Sequence, residues 1–355
     1  MIVQETDTET ARDELLPELA PEATLREVLH WAVAHGCLAP SELNSQPWLF
    51  HADVAVGGDS GTLDLLLDQS RILTAVDPSG REAVLACGAA LLNVRLALRG
   101  ARLGTHVRLC PDPSRPELLA RLTVQGQAAE PLEDHPLRLA IPLRSTHRGP
   151  FLPGGVPDDL AERLIAEAAY EGAFVAELDA EVTSQLAVLN HEAEGLLWTD
   201  TSFRREVATW TRRNTTRDED GVPGSAYGLK AWQSWLEPAR LRTGRASAQE
   251  QQEERAALEG APLTFVLAST DDSRTALLRA GCGLQRLLLA ARTMGLSAGY
   301  LNAALHLEPL RAAVARLIDL DHPQVILRLG YANVDRPTPR RTQADVLRLS
   351  DRASL

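Results

Sequence analysis

Lysine is almost absent from this 355-residue chain: one residue, Lys230, stands against thirty-five arginines. A P-loop needs lysine in the context GK[ST], and Lys230 lies in YGLKAW, so a P-loop nucleotidase is excluded. A lysine Schiff base would have to be built on Lys230, whose neighbours offer no pyridoxal pocket. Cysteine is scarce too. Cys37, Cys87, Cys110 and Cys282 are far apart and form no CxxC pair, which signals neither a zinc knuckle nor a disulfide framework. No apolar run approaches the roughly 20 residues that span a bilayer. The acidic stretch through Glu22 lacks the basic and apolar regions of a secretory signal. These absences predict a cytoplasmic protein with residues 1–22 as a loose acidic leader. Acidic residues outnumber basic ones, the formal net charge being -12. No long-range field then draws in nucleic acid or an anionic membrane, and any phosphate has to be held by local basic residues. No metal site is signalled either. His191-Glu192-Ala193-Glu194-Gly195 starts like HExxH but ends in glycine, without the second ligand.

What is present is ordinary globular composition, 45% hydrophobic and 24% charged, at a length that suggests two lobes. Thr24-Leu25-Arg26-Glu27 is a capping box that opens a first helix, and Gly36 is its natural stop. Asp77 and Pro78 are expected to open a long helix to about Arg102, apolar on nearly every face and therefore central. Strands are expected near 106–110, 118–124, 262–269 and 323–331. Further helices are expected near 158–171, 180–198, 273–294 and 308–318. Residues 130–155 read as a Pro/Gly-rich crossover, and 199–260 as a polar insert containing Trp210, Trp232 and Trp235. An internal echo organises the pattern. Arg81 to Gly88 aligns without gaps to Arg274 to Gly281, and the register continues through Leu103 and Leu296. Two Ala/Leu-rich helices can align by composition alone, but the matching strands on either side favour a duplication. The chain is divided on this basis into a first half, 23–140, and a second, 141–355.

Three clusters have the makings of a site. In Ala39-Pro40-Ser41-Glu42-Leu43-Asn44-Ser45-Gln46-Pro47-Trp48, two prolines pin a loop whose Ser41, Asn44 and Gln46 offer short donors and acceptors suited to a polar heterocycle. A plain helix-to-strand turn would look the same. Arg144-Ser145-Thr146-His147-Arg148 sets two guanidinium forks around two hydroxyls, as a phosphate monoester requires. Read plainly, it is a solvated basic turn. Arg340-Arg341, stiffened by Thr338-Pro339, is a third basic point that could complete a phosphate clamp.

At these residues the chain resembles a known family. APSELNSQPW is similar to the APSxxNxQPW loop of the FMN-binding nitroreductases. Asp77-Pro78-Ser79-Gly80-Arg81-Glu82, followed by Cys87-Gly88-Ala89-Ala90-Leu91 and Asn93, resembles the DPxGRE…CGAALxNxR stretch of their Acg-like branch. RSTHRGPF resembles that branch's RRTNRGPF, and Leu329-Gly330-Tyr331 with TPRR its C-terminal signature. The resemblance runs from about residue 24 to 347. It implies an α+β nitroreductase-like fold, with mixed, mostly antiparallel sheets flanked by helices and two pseudo-symmetric halves in one chain.

It also implies a site. Arg144, Ser145, Thr146 and Arg148, with Arg340 and Arg341, would hold the phosphate and ribityl chain of FMN. Pro40, Ser41, Asn44 and Gln46 would line the ring, with Arg71 near its N1/O2 edge. The backbone of Leu301, Asn302 and Ala303 would pass N5. The second half lacks a PSxxNxQP loop and the first half lacks an arginine strip, which predicts one composite FMN site in a monomeric pseudo-dimer. This chain departs from the branch at Ser145, at His147 and at Leu301-Asn302-Ala303-Ala304-Leu305-His306, where the branch usually reads LNQPxE. His306 becomes a candidate proton donor, against the plain reading of a packing histidine. The activity implied is ping-pong hydride transfer through flavin N5, with NAD(P)H or substrate as donor and a nitroaromatic, quinone or oxygen as acceptor. The alternative is FMN sequestration, with the 199–260 insert closed as a lid. A flavin-free anion-binding protein is a third reading.

Overall fold

The computed structural model describes residues 16, 18–55, 60–244, 248–333 and 337–352. Most of the expected leader lies outside the described residues. Helix α1, Leu25–Cys37, opens on the capping box: the Thr24 hydroxyl accepts from Glu27 N, and the Glu27 carboxylate accepts from Thr24 N at 2.7 Å. Gly36 does not stop this helix. It lies inside it, where a Cβ would sit 2.9 Å from Val94 Cγ2, so glycine serves close packing rather than termination.

After strands β1 (Trp48–Ala55) and β2 (Gly61–Leu67), the long helix α2 spans Arg81–Gly100. It begins three residues later than Pro78. Gly80 turns the chain at φ +68°, and Asp77 Oδ2 caps from outside by accepting from Ala83 N at 2.9 Å. Strand β2 escaped the sequence pattern because Asp64 breaks its leucine run. That carboxylate is buried and takes two 2.6 Å hydrogen bonds from Arg121. By length and composition α2 could cross a membrane, contrary to the expectation that no such run exists, but 83% of its apolar window is buried inside the protein. Burial by neighbouring helices explains the composition.

Strands β3 (Leu103–Leu109) and β4 (Leu118–Gln127) complete the first half's own strands. A short helix, α3 (Asp134–Ala140), occupies the expected crossover, with Pro136 tolerated in its first turn. Then follow α4 (Asp158–Tyr170), β5 (Phe174–Leu178) and α5 (Ala180–Leu197). The insert carries α6 (Thr201–Trp210), the two-residue pair β6 and β7 (Thr211–Arg212, Val222–Pro223), α7 (Ala231–Thr243) and α8 (Ala248–Glu259). Beyond it come β8 (Leu263–Ala268), α9 (Arg274–Thr293), β9 (Ser297–Tyr300), α10 (Ala303–His306), α11 (Glu308–Ile318), β10 (Pro323–Gly330), α12 (Gln343–Val346) and β11 (Leu347–Arg352).

Two principal sheets result, in the orders β11-β1-β2-β4-β3 and β5-β8-β10-β9. Their pairings are antiparallel except β1 with β11, which runs parallel with Phe50 opposite Leu347. The last strand thus joins the sheet of residues 48–127, although the sequence division had placed it with the second half. Helices α2 and α9 cross at the core on a pair of glycines. A Cβ on Gly88 would collide with the Leu278 carbonyl, and one on Gly281 with the Leu85 carbonyl. Among the described cysteines, Cys87 and Cys282 are buried free thiols in these helices, as their apolar surroundings predict.

Candidate functional site

The loop after α1 carries unusual backbone. Leu43, Asn44 and Gln46 adopt φ of 46°, 55° and 52°. Left-handed conformations at non-glycine residues cost roughly 1 kcal/mol or more each, so the surroundings have to hold them. They do so through side chains. Ser41 Oγ accepts from Gln46 N at 2.9 Å. The Asn44 amide donates to Gly221 O and Pro339 O, both at 2.9 Å, and its Oδ1 accepts from Arg340 at 2.9 Å. Gln46 donates to Glu219 O at 2.8 Å and accepts from Arg341 N at 2.9 Å. The loop is thereby tied to the insert at 219–221 and to the tail at 339–341.

The arginine strip is placed by β9. Thr146 forms a parallel bridge with Ala298, and His147 N donates to Ala298 O at 2.7 Å. Gly299 leaves room for this approach, since a Cβ there would strike the His147 carbonyl. Strip and tail then meet. Arg144, Ser145 and Thr146 line a cavity of about 40 Å³ together with Leu38, Thr338 and Arg340. At about 10–15 Å³ per water, that holds about three waters. A second cavity of about 10 Å³ shares Arg144 and Ser145 and adds Arg292 and Ser297, residues that sequence reasoning missed because they stand alone in α9 and β9.

Tyr300 lies among these cations. Burial pushes its phenol up to about 12, with Arg144, Arg148 and Arg340 pulling the other way. Its hydroxyl is buried and makes no hydrogen bond among the described residues. The Arg148 guanidinium lies 5.2 Å from the Tyr227 ring centre, a contact supplied by the insert. Glu42 sits close by. Burial raises its carboxyl to about 7, the Glu82 charge adds to the rise, and His306 and Arg148 oppose it. Asp77 is raised to about 6 by burial and Glu82.

The structure divides the candidate residues into two groups. Arg144, Ser145, Thr146 and Arg340 share one cavity wall, with Arg148 close by. Asn44, Gln46, Arg71 and Arg341 spend their polar groups on the protein itself, and Arg340 belongs to both groups, since its Nη1 also donates to Asn44 Oδ1 and Pro339 O, each at 2.9 Å. Arg71 donates to Ser45 O at 2.8 Å and pairs with Asp220 at 3.0 Å. Arg341 reaches Gln46 O at 3.3 Å. Pro40 is buried in the loop, three residues beyond the end of α1. Leu301 N donates to Ile326 O at 3.2 Å, and Asn302 Oδ1 accepts from Ile326 N at 2.9 Å, so both finish the β10 edge. Ala303, Leu307 and Leu43 pack with Trp198, Phe203 and Trp210, so the insert rests on the loop. Trp232 and Trp235 instead face outward, 64% and 57% exposed. No group of three or more metal-binding side chains exists among the described residues.

An α+β chain that brings an arginine strip and a basic tail to one cavity has residues suited to binding an anion. The Nitroreductase family model matches residues 143–331. A Mycobacterium tuberculosis protein named "Putative NAD(P)H nitroreductase acg" is 33% identical over 323 residues, 89% of this chain and 93% of its own length. A second protein of that organism, "Putative NAD(P)H nitroreductase Rv3131", is 32% identical over 91% of each chain. Among solved structures, the FMN-dependent nitroreductase NfnB of Mycobacterium smegmatis in complex with NADPH aligns with a TM-score of 0.40 and 17% identity, covering 61% of this chain and 98% of its own. The chain belongs to the nitroreductase family.

Proposed function

We propose that this protein binds one FMN per chain and acts as a two-electron oxidoreductase, with NAD(P)H as donor and a nitroaromatic, quinone or oxygen as acceptor. The observation that carries the reading is the shared cavity. Residues 144–146 and residue 340, far apart in sequence, converge on a space of phosphate size. The site fits the phosphate end of FMN. Guanidinium groups and hydroxyls are the donor set a phosphate monoester takes, and the buried Tyr300 hydroxyl is a further donor without a partner. Bound there, FMN would supply hydride chemistry. Arg144 and Arg340 would hold the phosphate, Ser145 and Thr146 would orient it, and the apolar cluster that Leu43, Trp210 and Ala303 share would keep water from the ring's neighbourhood. The ping-pong order follows from a single ring site that donor and acceptor must occupy in turn.

The single site and a monomeric pseudo-dimer are part of this proposal. Gly88 contacts Leu278 while Gly281 contacts Leu85, which is the reciprocal pattern of a two-fold axis. Gly281 follows Gly88, and Leu278 follows Leu85, by the same offset that aligns Arg81 with Arg274. Titrating FMN against wild type, Arg144→Ala and Arg340→Ala by flavin fluorescence tests the seat. Each variant is expected to weaken binding at least tenfold, about 1.4 kcal/mol for each charge-assisted hydrogen bond removed. Unchanged affinity in both would remove the phosphate assignment.

Sequestration is the second reading, favoured by the ties from the insert to the loop through Gly221, Glu219 and Asp220. Mixing the FMN-loaded protein with NADPH separates the two. Bleaching at catalytic rates supports the oxidoreductase, and a flavin that stays oxidised supports sequestration.

A further inference from the structure

His306 closes α10, one turn after Ala303, which packs on the same apolar cluster as Leu43 of the loop. Its Nε2 lies 3.0 Å from Glu82 Oε1, and the side chains are 9% and 8% exposed. The contact is specific to the fold, because Glu82 is in the first turn of α2 and the two residues are far apart in sequence. Glu82 is itself held by Arg81 Nη2 at 3.0 Å. Arg81 is anchored by Gln324, through its carbonyl at 3.0 Å and its Oε1 at 2.7 Å. Gln324 donates in turn to Ser269 Oγ at 2.7 Å and Asp272 at 2.8 Å. The carboxylate therefore has a fixed direction, and that direction fixes the imidazole. His306 Nδ1 and Glu82 Oε2 are both buried without a hydrogen-bond partner among the described residues. A buried donor held without a partner is costly, and a bound acceptor oxygen would relieve that cost.

We propose that Glu82 and His306 form a proton-holding pair for the acceptor half of the reaction, with His306 the proton donor and Glu82 its positioning residue. The inference rests on the oxidoreductase reading above. Reducing a quinone or nitro group takes protons as well as electrons. The electrons come from the nicotinamide reductant. The proton comes from His306: an O–H bond forms on the acceptor as the Nδ1–H bond breaks, and the neutral imidazole left behind is re-protonated from solvent. Nε2–H stays with Glu82 throughout, which keeps the ring oriented.

The charges around the pair agree. Burial alone would lower the His306 pKa, but the Glu82 carboxylate, by charge and hydrogen bond, and Glu42 outweigh it and raise it, against Arg81. Glu82 is kept ionised because His306 and Arg81 together overcome its burial. Glu42 and Asp77 face the pair from the loop and the α2 entry, and Arg148 faces Glu42 from the strip.

The test begins without cofactor. The His306 ring signal is assigned by comparison with His306→Gln and followed by NMR against pH in wild type and Glu82→Gln. The wild-type midpoint should lie above that of free histidine and should fall below it in Glu82→Gln. A midpoint at the free value that ignores the Glu82 substitution overturns the proposal. Should Glu82→Gln fail to fold, Arg81→Gln provides the complementary sign: it removes an opposing charge and the midpoint should rise, while a fall would overturn the assignment. With FMN bound, His306→Gln should retain flavin affinity and donor-driven flavin reduction, yet lose at least tenfold in acceptor turnover and lose the alkaline limb of its pH profile. An unchanged profile refutes the donor role. Absence of FMN uptake would instead refute the oxidoreductase reading and leave the NMR result standing as a separate fact.

Discussion

Asn44→Ala should loosen three segments at once. The Asn44 amide bridges Gly221 O and Pro339 O, and its carbonyl takes a hydrogen bond from Arg340. Two neutral hydrogen bonds are worth about 0.5–1.5 kcal/mol each and one to a charged donor about 1.5–3, before water re-enters. The left-handed φ of 55° adds a further penalty of about 1 kcal/mol, because alanine tolerates it less well than asparagine. Allowing for water reaching the freed carbonyls, the net loss should be about 3 kcal/mol. Asn44→Asp keeps the acceptor for Arg340 and the tolerance for positive φ but loses both donors, so it should fall between wild type and alanine. Urea unfolding gives the stability, and limited proteolysis reports whether the insert is released. Should Asn44→Ala unfold within about 0.5 kcal/mol of wild type, with the insert no more readily cut, the knot at Asn44 does not hold the site together.

Gly281→Ala gains about 1 kcal/mol of helix propensity, yet its methyl collides with the Leu85 carbonyl, and such overpacking costs about 1–3 kcal/mol. A net loss of stability is expected, and less than additive loss when Gly88→Ala is added, because one separation of the helices accommodates both methyls; a stabilised Gly281→Ala would contradict the crossing. Burial lowers the His35 pKa from 6.5 to about 4, against its hydrogen bond to Trp31 O at 2.9 Å. The unfolded chain then takes up a proton between these values that the folded chain refuses, so stability falls as pH drops through this window. At pH 5 the loss is about 2 kcal/mol, to be read as the difference in urea stability between wild type and His35→Gln at pH 5 and 7.5. Arg144→Ala should weaken FMN binding at least tenfold while leaving the fold melting within a few degrees of wild type, whereas Arg340→Ala should weaken binding as much and also melt lower, because it removes the hydrogen bond to Asn44 Oδ1.

Much of the architecture was legible because the signals were local. The Thr24 capping box, the apolar period of α2 and α9, and the runs at 263–268 and 323–330 each declare an element within a few residues. The misses came from non-local causes. Gly36 and Gly80 look alike as punctuation, but one serves close packing inside a helix and the other a left-handed turn. Strand β2 needed Arg121, from another strand, to neutralise Asp64. The destination of the last strand could not be read at all, since nothing in Leu347 to Arg352 names Phe50 as its neighbour. At the site, motif reasoning pointed to residues 144–146 and 340, which the fold brings to one cavity, but not to the hydrogen bonds that the other candidates make. Asn44, Gln46 and Arg71 have polar side chains of the kind a ligand needs, and their bonds to the insert's 219–221 segment join residues far apart in sequence. Glu82 lay in a motif read as a helix start and as part of the family resemblance, with no role assigned to it, and its pairing with His306 depends on two segments meeting across the core.

The most direct test of the composite site is the number of FMN molecules per chain. Purified protein is saturated with FMN, freed of excess, and the flavin released is quantified against protein by absorbance. One equivalent is predicted, because residues 144–146 and 340 build one seat. Two equivalents, or no uptake at all, would contradict it.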